Sequence, residues 1–137
     1  MVKLSPHLTF NGQCEAAFRF YERCFGGEIL TMVSYGNSPM ATQVPPEWHE
    51  KILHATLIVG DNVLMGADIH PEHYEKPKGF FVLIGIDHPV DAERIYYALA
   101  ENGAVDVPIQ KTFWAGRFGV LIDQFGIPWE INCEPDQ

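Results

Sequence analysis

Four polar side chains have the chemistry and the placement expected of a metal-binding or proton-transferring site. His7, His54 and Glu130 each lie in a run with the apolar-polar alternation of a β-strand, and Asp68 ends another such run. Because successive side chains of a strand point to opposite faces, the two histidines and Glu130 are expected to face away from the apolar side of their strands. Imidazole nitrogens and carboxylate oxygens suit a divalent metal or general acid-base catalysis. Ordinary polar surface residues are the alternative for the histidines, and a turn or cap residue is the alternative for Asp68.

A second candidate site lies in the aromatic stretch at residues 112–119. Two aromatic residues, two glycines and Arg117 occur together here between predicted strands. Such a segment forms either a binding wall with a cation for an anionic or carbonyl group, or a glycine-kinked hairpin with simple aromatic packing. Arg117 is also a candidate partner for the carboxylate of Glu130. The predicted ligand-binding residues are Phe81, Phe113, Trp114 and Arg117.

Composition excludes several classes of function. The formal net charge is -9, and the few basic residues are scattered, so a nucleic-acid partner is not expected. No apolar run approaches the ~20 residues that span a bilayer, and the first residues lack the apolar core of a signal peptide. We therefore predict a cytoplasmic protein with no membrane partner. Nucleotide-binding and hydrolase motifs of the G-x-G-x-x-G, P-loop and G-x-S-x-G types are missing from the sequence.

The cysteines and the remaining histidines are given no catalytic role. Three cysteines without a C-x-x-C pair favour reduced, packed thiols over a disulfide framework or a zinc site. The histidines in predicted loops or at a helix start are expected to be solvated. These residues are Cys14, Cys24 and Cys133, and His49, His70, His73 and His88.

Two predicted helices carry the same apolar stripe, 75 positions apart. Ala17, Phe20, Tyr21 and Cys24 fall at i, i+3, i+4 and i+7, and each has an apolar counterpart in the second helix. Both stripes end at an Asn-Gly or Gly-Gly stop. The second stripe consists of Ala92, Ile95, Tyr96 and Leu99.

Strand patterns repeat around the two helices in the same order. We predict helices at 13–25 and 89–101 and a long loop at 35–50 with many turn-forming residues. In the strand at 52–59, the apolar set Leu53, Ala55, Leu57 and Val59 is expected to face the core. The other predicted strands are 4–10, 28–34, 63–67, 80–86, 104–108, 118–122 and 127–133.

This order predicts an α+β protein built from two βαβββ modules, about 1–75 and 76–137, in one domain. A helix covers one side of each module and leaves the other side of its strands in need of a partner. We expect the modules to form a curved eight-stranded mixed sheet with a cleft.

The sequence resembles the PhnB-like family of the vicinal oxygen chelate superfamily, which includes glyoxalases, bleomycin-resistance proteins and dioxygenases. The resemblance covers nearly the whole chain, from Ser5-Pro6-His7-Leu8-Thr9-Phe10-Asn11-Gly12 to Asp123-Gln124-Phe125-Gly126-Ile127-Pro128-Trp129-Glu130. Other segments that carry it are Phe25-Gly26-Gly27, Leu64-Met65-Gly66-Ala67-Asp68 and Thr112-Phe113-Trp114.

The resemblance implies the glyoxalase fold, a homodimer and two open alternatives for function. One is a lyase, isomerase or dioxygenase-like enzyme with one divalent ion (Zn, Ni, Mn or Fe) at His7 and Glu130, and Asp68 or His54, with Glu130 as catalytic residue. The family's remaining ligand position falls near 80–82, where this chain has no ligand. The other alternative is a metal-free protein that sequesters a small molecule.

Overall fold

Within residues 1–135, each half of the chain contains one α-helix and four strands. The structure, a computed structural model, describes residues 1–135 and divides into two compact units, Met1–Glu75 and a second that begins at Lys76. The first unit contains β1 (His7–Phe10), α1 (Cys14–Phe25), β2 (Glu28–Ser34), β3 (Ile52–Val59) and β4 (Asn62–Asp68). The second contains β5 (Val82–Ile86), α2 (Pro89–Ala100), β6 (Ala104–Gln110), β7 (Arg117–Ile122) and β8 (Pro128–Cys133).

The predicted α+β class and the repeated βαβββ order are confirmed. The eight strands divide into two four-stranded sheets, ordered β1-β4-β3-β2 and β5-β8-β7-β6. In each sheet the first strand of the unit pairs in parallel with the last, and the other neighbours are antiparallel. Within residues 1–135, no helix has the length and apolar character needed to span a membrane.

A glycine in each sheet lets the helix pack directly on the strands. A Cβ added to Gly66 in β4 would lie 2.6 Å from the ring of Phe18 in α1, and one added to Gly119 in β7 would lie 2.6 Å from the ring of Tyr96 in α2. Real Cβ atoms do not approach so closely, so only glycine fits beneath these two rings. Both contacts identify which side of each sheet the helix covers.

The alternation predicted for β1 and β3 holds except at a bulge in β3. Leu8 is buried, and Ala55 and Leu57 are fully buried, as expected for the side of the sheet that faces α1. Leu53 is only half-buried, however, whereas Ile52 is 3% exposed. The pairing of β3 with β2 shifts here, so two β3 residues oppose one residue of β2 and the alternation changes phase. The prediction that Leu53 faces the core was therefore wrong.

Asp68 is a buried carboxylate that joins three segments of the first unit. It is 1% exposed, and its two carboxylate oxygens accept hydrogen bonds from the backbone N–H groups of Cys14 and Ile52, each at 2.9 Å. Cys14 is the first residue of α1, and the preceding Gln13 makes no side-chain cap. Asp68 therefore caps the helix from a distant strand, where a negative charge also suits the helix dipole.

Burial raises the pKa of the Asp68 carboxyl above its usual value, and the two backbone donors and the nearby Lys51 ammonium oppose that rise. Burial, followed by the Asp68 charge, also raises the pKa of the Cys14 thiol far above its ordinary value. Cys14, Cys24 and Cys133 are all buried, in agreement with the packing role predicted for them.

A second buried carboxylate organises the turn between β7 and β8. Asp123 accepts hydrogen bonds from the backbone N–H groups of Phe125 and Ile127 at 2.8 and 3.1 Å, and from Trp129 Nε1 at 2.8 Å. The turn closes at Gly126, whose φ of 90° lies in the region that favours glycine. Asp123 thus fixes both the turn and the side of β8 on which Trp129 packs.

The long loop of the first unit is ordered by three short 3₁₀ turns at Tyr35–Asn37, Pro39–Gln43 and Pro46–Trp48. The Tyr35 hydroxyl donates to the backbone carbonyl of Asp68 at 2.8 Å, which ties the start of the loop to the end of β4. His49 is half-buried, and its Nε2 bonds to the Ala41 carbonyl at 2.9 Å. The prediction of a solvated His49 was therefore wrong.

Replacing Asp68 with Asn is expected to lower the free energy of unfolding by about 2–3 kcal/mol, because the amide group points a donor at one of two buried backbone N–H groups. Urea unfolding followed by circular dichroism measures this loss. Glu72→Asn, at an exposed loop position, serves as the control and is expected to stay within about 0.5 kcal/mol of the parent. Equal stability of the two variants would contradict the capping role of Asp68.

Gly119→Ala is expected to destabilise the protein by about 1–3 kcal/mol, because the new methyl group overlaps the Tyr96 ring. Gly85→Ala is the matched control in the same sheet, since a Cβ at Gly85 would have no neighbour within 4 Å. Thermal unfolding of the two variants checks the comparison. A melting temperature as low for Gly85→Ala as for Gly119→Ala would show that the ring contact is not the cause.

Candidate functional site

The second unit has a polar and aromatic surface on the side of its sheet that faces away from α2. Gly119 lies under the α2 ring of Tyr96 and pairs with Ile131, so these two β7 and β8 residues face the helix. Their neighbours along each strand point the opposite way. We call this opposite side the Glu130 face, and its strand residues are Leu83, Gly85, Phe118, Val120, Glu130 and Asn132.

Glu130 lies in the middle of this face between two apolar residues. It pairs with Leu83 of β5 on one side and with Val120 of β7 on the other. Neighbouring strands are about 4.8 Å apart, so the carboxylate stands directly beside two aliphatic side chains. It is half-buried, and within residues 1–135 no hydrogen bond or ion pair engages it. Its orientation away from the core confirms the predicted alternation of β8.

An aromatic group borders the same face at the start of β7. The ring centroids of Phe118 and Trp114 are 5.3 Å apart, and those of Trp114 and Phe113 are 4.7 Å apart. Both pairs have edge-to-face geometry. The turn is held by Thr112, whose N–H donates to the Ala115 carbonyl at 3.0 Å and whose hydroxyl accepts from the Ala115 N–H at 3.1 Å. Phe113 and Trp114 nevertheless remain 96% and 49% exposed.

Exposed apolar residues continue along β5. Leu83 is 61% exposed, and Phe81, two residues earlier, is about half-exposed. Exposed aliphatic and aromatic side chains grouped around a polar residue are characteristic of interaction sites. Of the four predicted ligand-binding residues, the structure thus places Trp114 beside the Glu130 face, Phe113 against Trp114, and Phe81 just before β5.

Arg117 lies on the other side of the sheet. Its Nε donates to Glu93 Oε1 of α2 at 2.9 Å, and the guanidinium also bonds to the Gly116 carbonyl at 2.6 Å. Arg117 pairs with Cys133, whose buried side chain belongs to the helix side of β8. The expectation that Arg117 neutralises Glu130 was therefore wrong, because alternation sends the two side chains to opposite sides.

Of the three predicted metal ligands in the first unit, His7 and His54 share one side of its sheet. His7 is exposed on β1 and pairs with Met65, which in turn pairs with Thr56. His54 lies two residues before Thr56, and its Nε2 is 3.1 Å from the Thr56 hydroxyl. Both histidines face away from α1, as predicted, but they stand two strands apart and in different rows of the sheet.

Asp68 does not share that side. Its carboxylate points toward the start of α1 and already accepts two backbone N–H groups. Within residues 1–135, neither unit brings three His, Cys, Asp or Glu side chains into a cluster that fits a metal ion. The donors within each unit therefore do not make up the three-ligand metal site expected from the sequence, and metal binding stays a prediction.

Of the six strand residues of the Glu130 face, only Glu130 was predicted as a site residue. Nothing in the sequence distinguishes Leu83, Val120 and Phe118 from other apolar strand residues. Only the pairing register places them around Glu130. A partial signal was present, since alternation from Glu130 and Asn132 defines the outward side of β8. The identity of the neighbours across β5 and β7 could not be obtained from any single strand.

Comparison with known proteins agrees with this architecture. The family profile of the Glyoxalase/Bleomycin resistance protein/Dioxygenase superfamily matches residues 5–131. The chain is 32% identical to "Protein YjdN" of Escherichia coli K12 over 142 residues, which cover 98% of this chain and 97% of that protein.

Among solved structures, protein PA1353 of Pseudomonas aeruginosa is 42% identical with a TM-score of 0.90, covering 99% of this chain and 100% of that one. A Bacillus cereus PhnB protein described as a putative 3-demethylubiquinone-9 3-methyltransferase shares the fold, at 22% identity and a TM-score of 0.79, over 96% and 99% of the two chains. The chain therefore belongs to the glyoxalase/bleomycin resistance protein/dioxygenase superfamily.

Proposed function

We propose that this protein binds a small organic molecule on the Glu130 face, as a metal-free ligand-sequestering protein. The observation that carries this proposal is the position of Glu130, a half-buried carboxylate without a protein partner among residues 1–135, between the aliphatic side chains of Leu83 and Val120. Small-molecule sites combine mostly apolar walls with a few polar groups that orient the ligand. The Glu130 face has this composition.

The aromatic turn supplies the second part of the proposed site. Trp114 offers a large, exposed and well-supported ring surface, because Phe118 and the Thr112 hydrogen bonds hold the turn in place. An aromatic residue fixed in this way loses little side-chain entropy when a ligand packs on it. Asn132, in the next row from Glu130, adds an amide that can both donate and accept hydrogen bonds.

A metal-dependent lyase, isomerase or dioxygenase-like enzyme is the second candidate. The same unpartnered carboxylate of Glu130 favours it, since such an oxygen ligand suits a divalent ion. A bound metal would supply an electrophilic centre for substrate oxygens. Asp68 is not part of this candidate site, because its carboxylate caps α1.

Nile red, a neutral dye whose fluorescence rises in apolar sites, provides a first binding test. We expect saturable binding to the parent protein and at least about fivefold weaker binding to Leu83→Ser and to Trp114→Ser, because each change removes apolar contact area. Val105→Ser is the control, since Val105 is 53% exposed in the same unit but lies on β6 outside the Glu130 face. Equal losses in all three variants would indicate nonspecific adsorption and contradict the proposed site.

Metal removal separates the two candidate functions. If the protein is a metal-free binder, dialysis against a chelator is expected to leave the dye dissociation constant unchanged within about twofold. The protein should be purified without an affinity tag, and metal content should be measured before and after dialysis. Loss of binding after chelation, restored by Zn, Ni, Mn or Fe in the parent but not in Glu130→Gln, would favour the metal-dependent enzyme.

We further propose that the chain belongs to the PhnB-like branch of its superfamily and that it forms a cytoplasmic homodimer, as the family resemblance implies. Sedimentation equilibrium measures the oligomeric state directly. A mass of twice the 15.5 kDa of one chain supports the dimer. A mass of one chain across the micromolar range would overturn it.

A further inference from the structure

We infer that the ligand of the Glu130 face is an organic monocation with an aromatic or aliphatic body, such as an arylalkylammonium ion. This inference rests on the proposed binding function and names the ligand class for the same surface. Its starting point is the charge of Glu130, which has apolar neighbours on both sides and no cation of residues 1–135 bonded to it.

The described cations of the second unit are engaged elsewhere or lie on other segments. Arg117 pairs with Glu93 at 2.9 Å on the helix side of the sheet, and Arg94 pairs with Asp91 at 3.6 Å along α2. The lysines of this unit are exposed and belong to the segments before β5 and after β6. Neither arginine of this unit is therefore paired with Glu130, and a cationic ligand would supply the compensating charge.

The free-energy cost of desolvating Glu130 favours a cationic ligand over a neutral one. Leu83 is exposed and Val120 is buried, so an uncharged body would pack over Leu83. It would remove water from the Glu130 carboxylate without replacing its hydrogen bonds, which carries a free-energy cost. A cationic group restores both the charge balance and a hydrogen bond. An anion would be repelled by Glu130 and by the formal charge of -9 on the whole chain.

The spacing of the face also suits an arylalkyl cation. Glu130 pairs with Val120, and Phe118 is two residues from Val120 on the same strand, so Glu130 and Phe118 are diagonal neighbours. Diagonal pairs across antiparallel strands are about 7–8 Å apart. A cation joined to a ring by two or three bonds spans this distance, with the ring on Phe118 and Trp114. The faces of these aromatic rings also attract cations.

Three compounds of similar size test the charge preference: phenethylammonium, 2-phenylethanol and 3-phenylpropanoate. Binding is followed by the NMR shift of the Trp114 indole N–H, assigned with Trp114→Phe. For the parent protein we expect the cation to bind about tenfold more tightly than the alcohol, and the anion to bind most weakly. In Glu130→Gln, the cation and the alcohol should differ by less than about twofold, because the charge that distinguishes them has been removed.

Glu101→Gln is the control for the overall field of the protein, because Glu101 is exposed at the end of α2 and its loss changes the net charge equally. It should retain the full preference for the cation. Equal loss of preference in Glu101→Gln and Glu130→Gln would overturn a local role for Glu130. Unfolding midpoints of both variants, expected to match the parent, verify that the fold is intact.

The outcomes also distinguish the two proposals. Equal binding of the cation and the alcohol to the parent protein, with clear shifts at Trp114, would overturn the cationic ligand class and leave the proposed binding function standing. If none of the three compounds shifts the Trp114 signal and Nile red also fails to bind, the proposed function itself fails.

Discussion

The close packing of one helix on one side of each sheet is the constraint on which the rest of this structure depends. Phe18 over Gly66 and Tyr96 over Gly119 bring helix and sheet together at a distance that no other residue type allows. This contact determines which strand residues face the core. By exclusion it also determines which residues, Glu130 among them, are available for binding.

The two units share this packing, but they differ in how the first backbone position of the helix is satisfied. In the first unit the N–H of Cys14 is satisfied by the distant carboxylate of Asp68. In the second unit the corresponding position, 75 residues later, is Pro89, which has no N–H to satisfy. The second unit instead uses its buried carboxylate, Asp123, to form the turn that precedes β8 and to hold Trp129. Similar architecture is thus maintained by different local interactions.

Membership of the superfamily establishes the fold and leaves the chemistry to individual side chains. Two of the polar residues that were candidates for a chemical role instead stabilise the fold. Asp68 caps α1, and Arg117 forms an ion pair with Glu93. Glu130 makes no such bond within residues 1–135. It lies beside the exposed Leu83 and the buried Val120, on a face bordered by the partly exposed ring of Trp114. A carboxylate in such surroundings favours recognition of a ligand that carries a compensating charge.

Much of the fold could be predicted because its signals are local. Helix periodicity, the repeat of 75 residues and strand alternation gave the order of elements and most of their bounds; β2 and β3 agree at both ends. The core positions Leu8, Phe10, Trp129 and Ile131 follow from the same alternation. The main local failure, Leu53, came from a bulge that depends on the pairing between β2 and β3.

The sequence by itself determined the α+β class, the two repeated modules and the outward orientation of His7, His54 and Glu130, because each depends on periodicity within a single segment. Only the tertiary structure decided that Asp68 caps a helix 54 residues away, that Arg117 pairs with Glu93, and that Leu83 and Val120 flank Glu130. Those contacts join residues far apart in the chain. Their partners are selected by strand register and helix packing, which no single segment of sequence encodes.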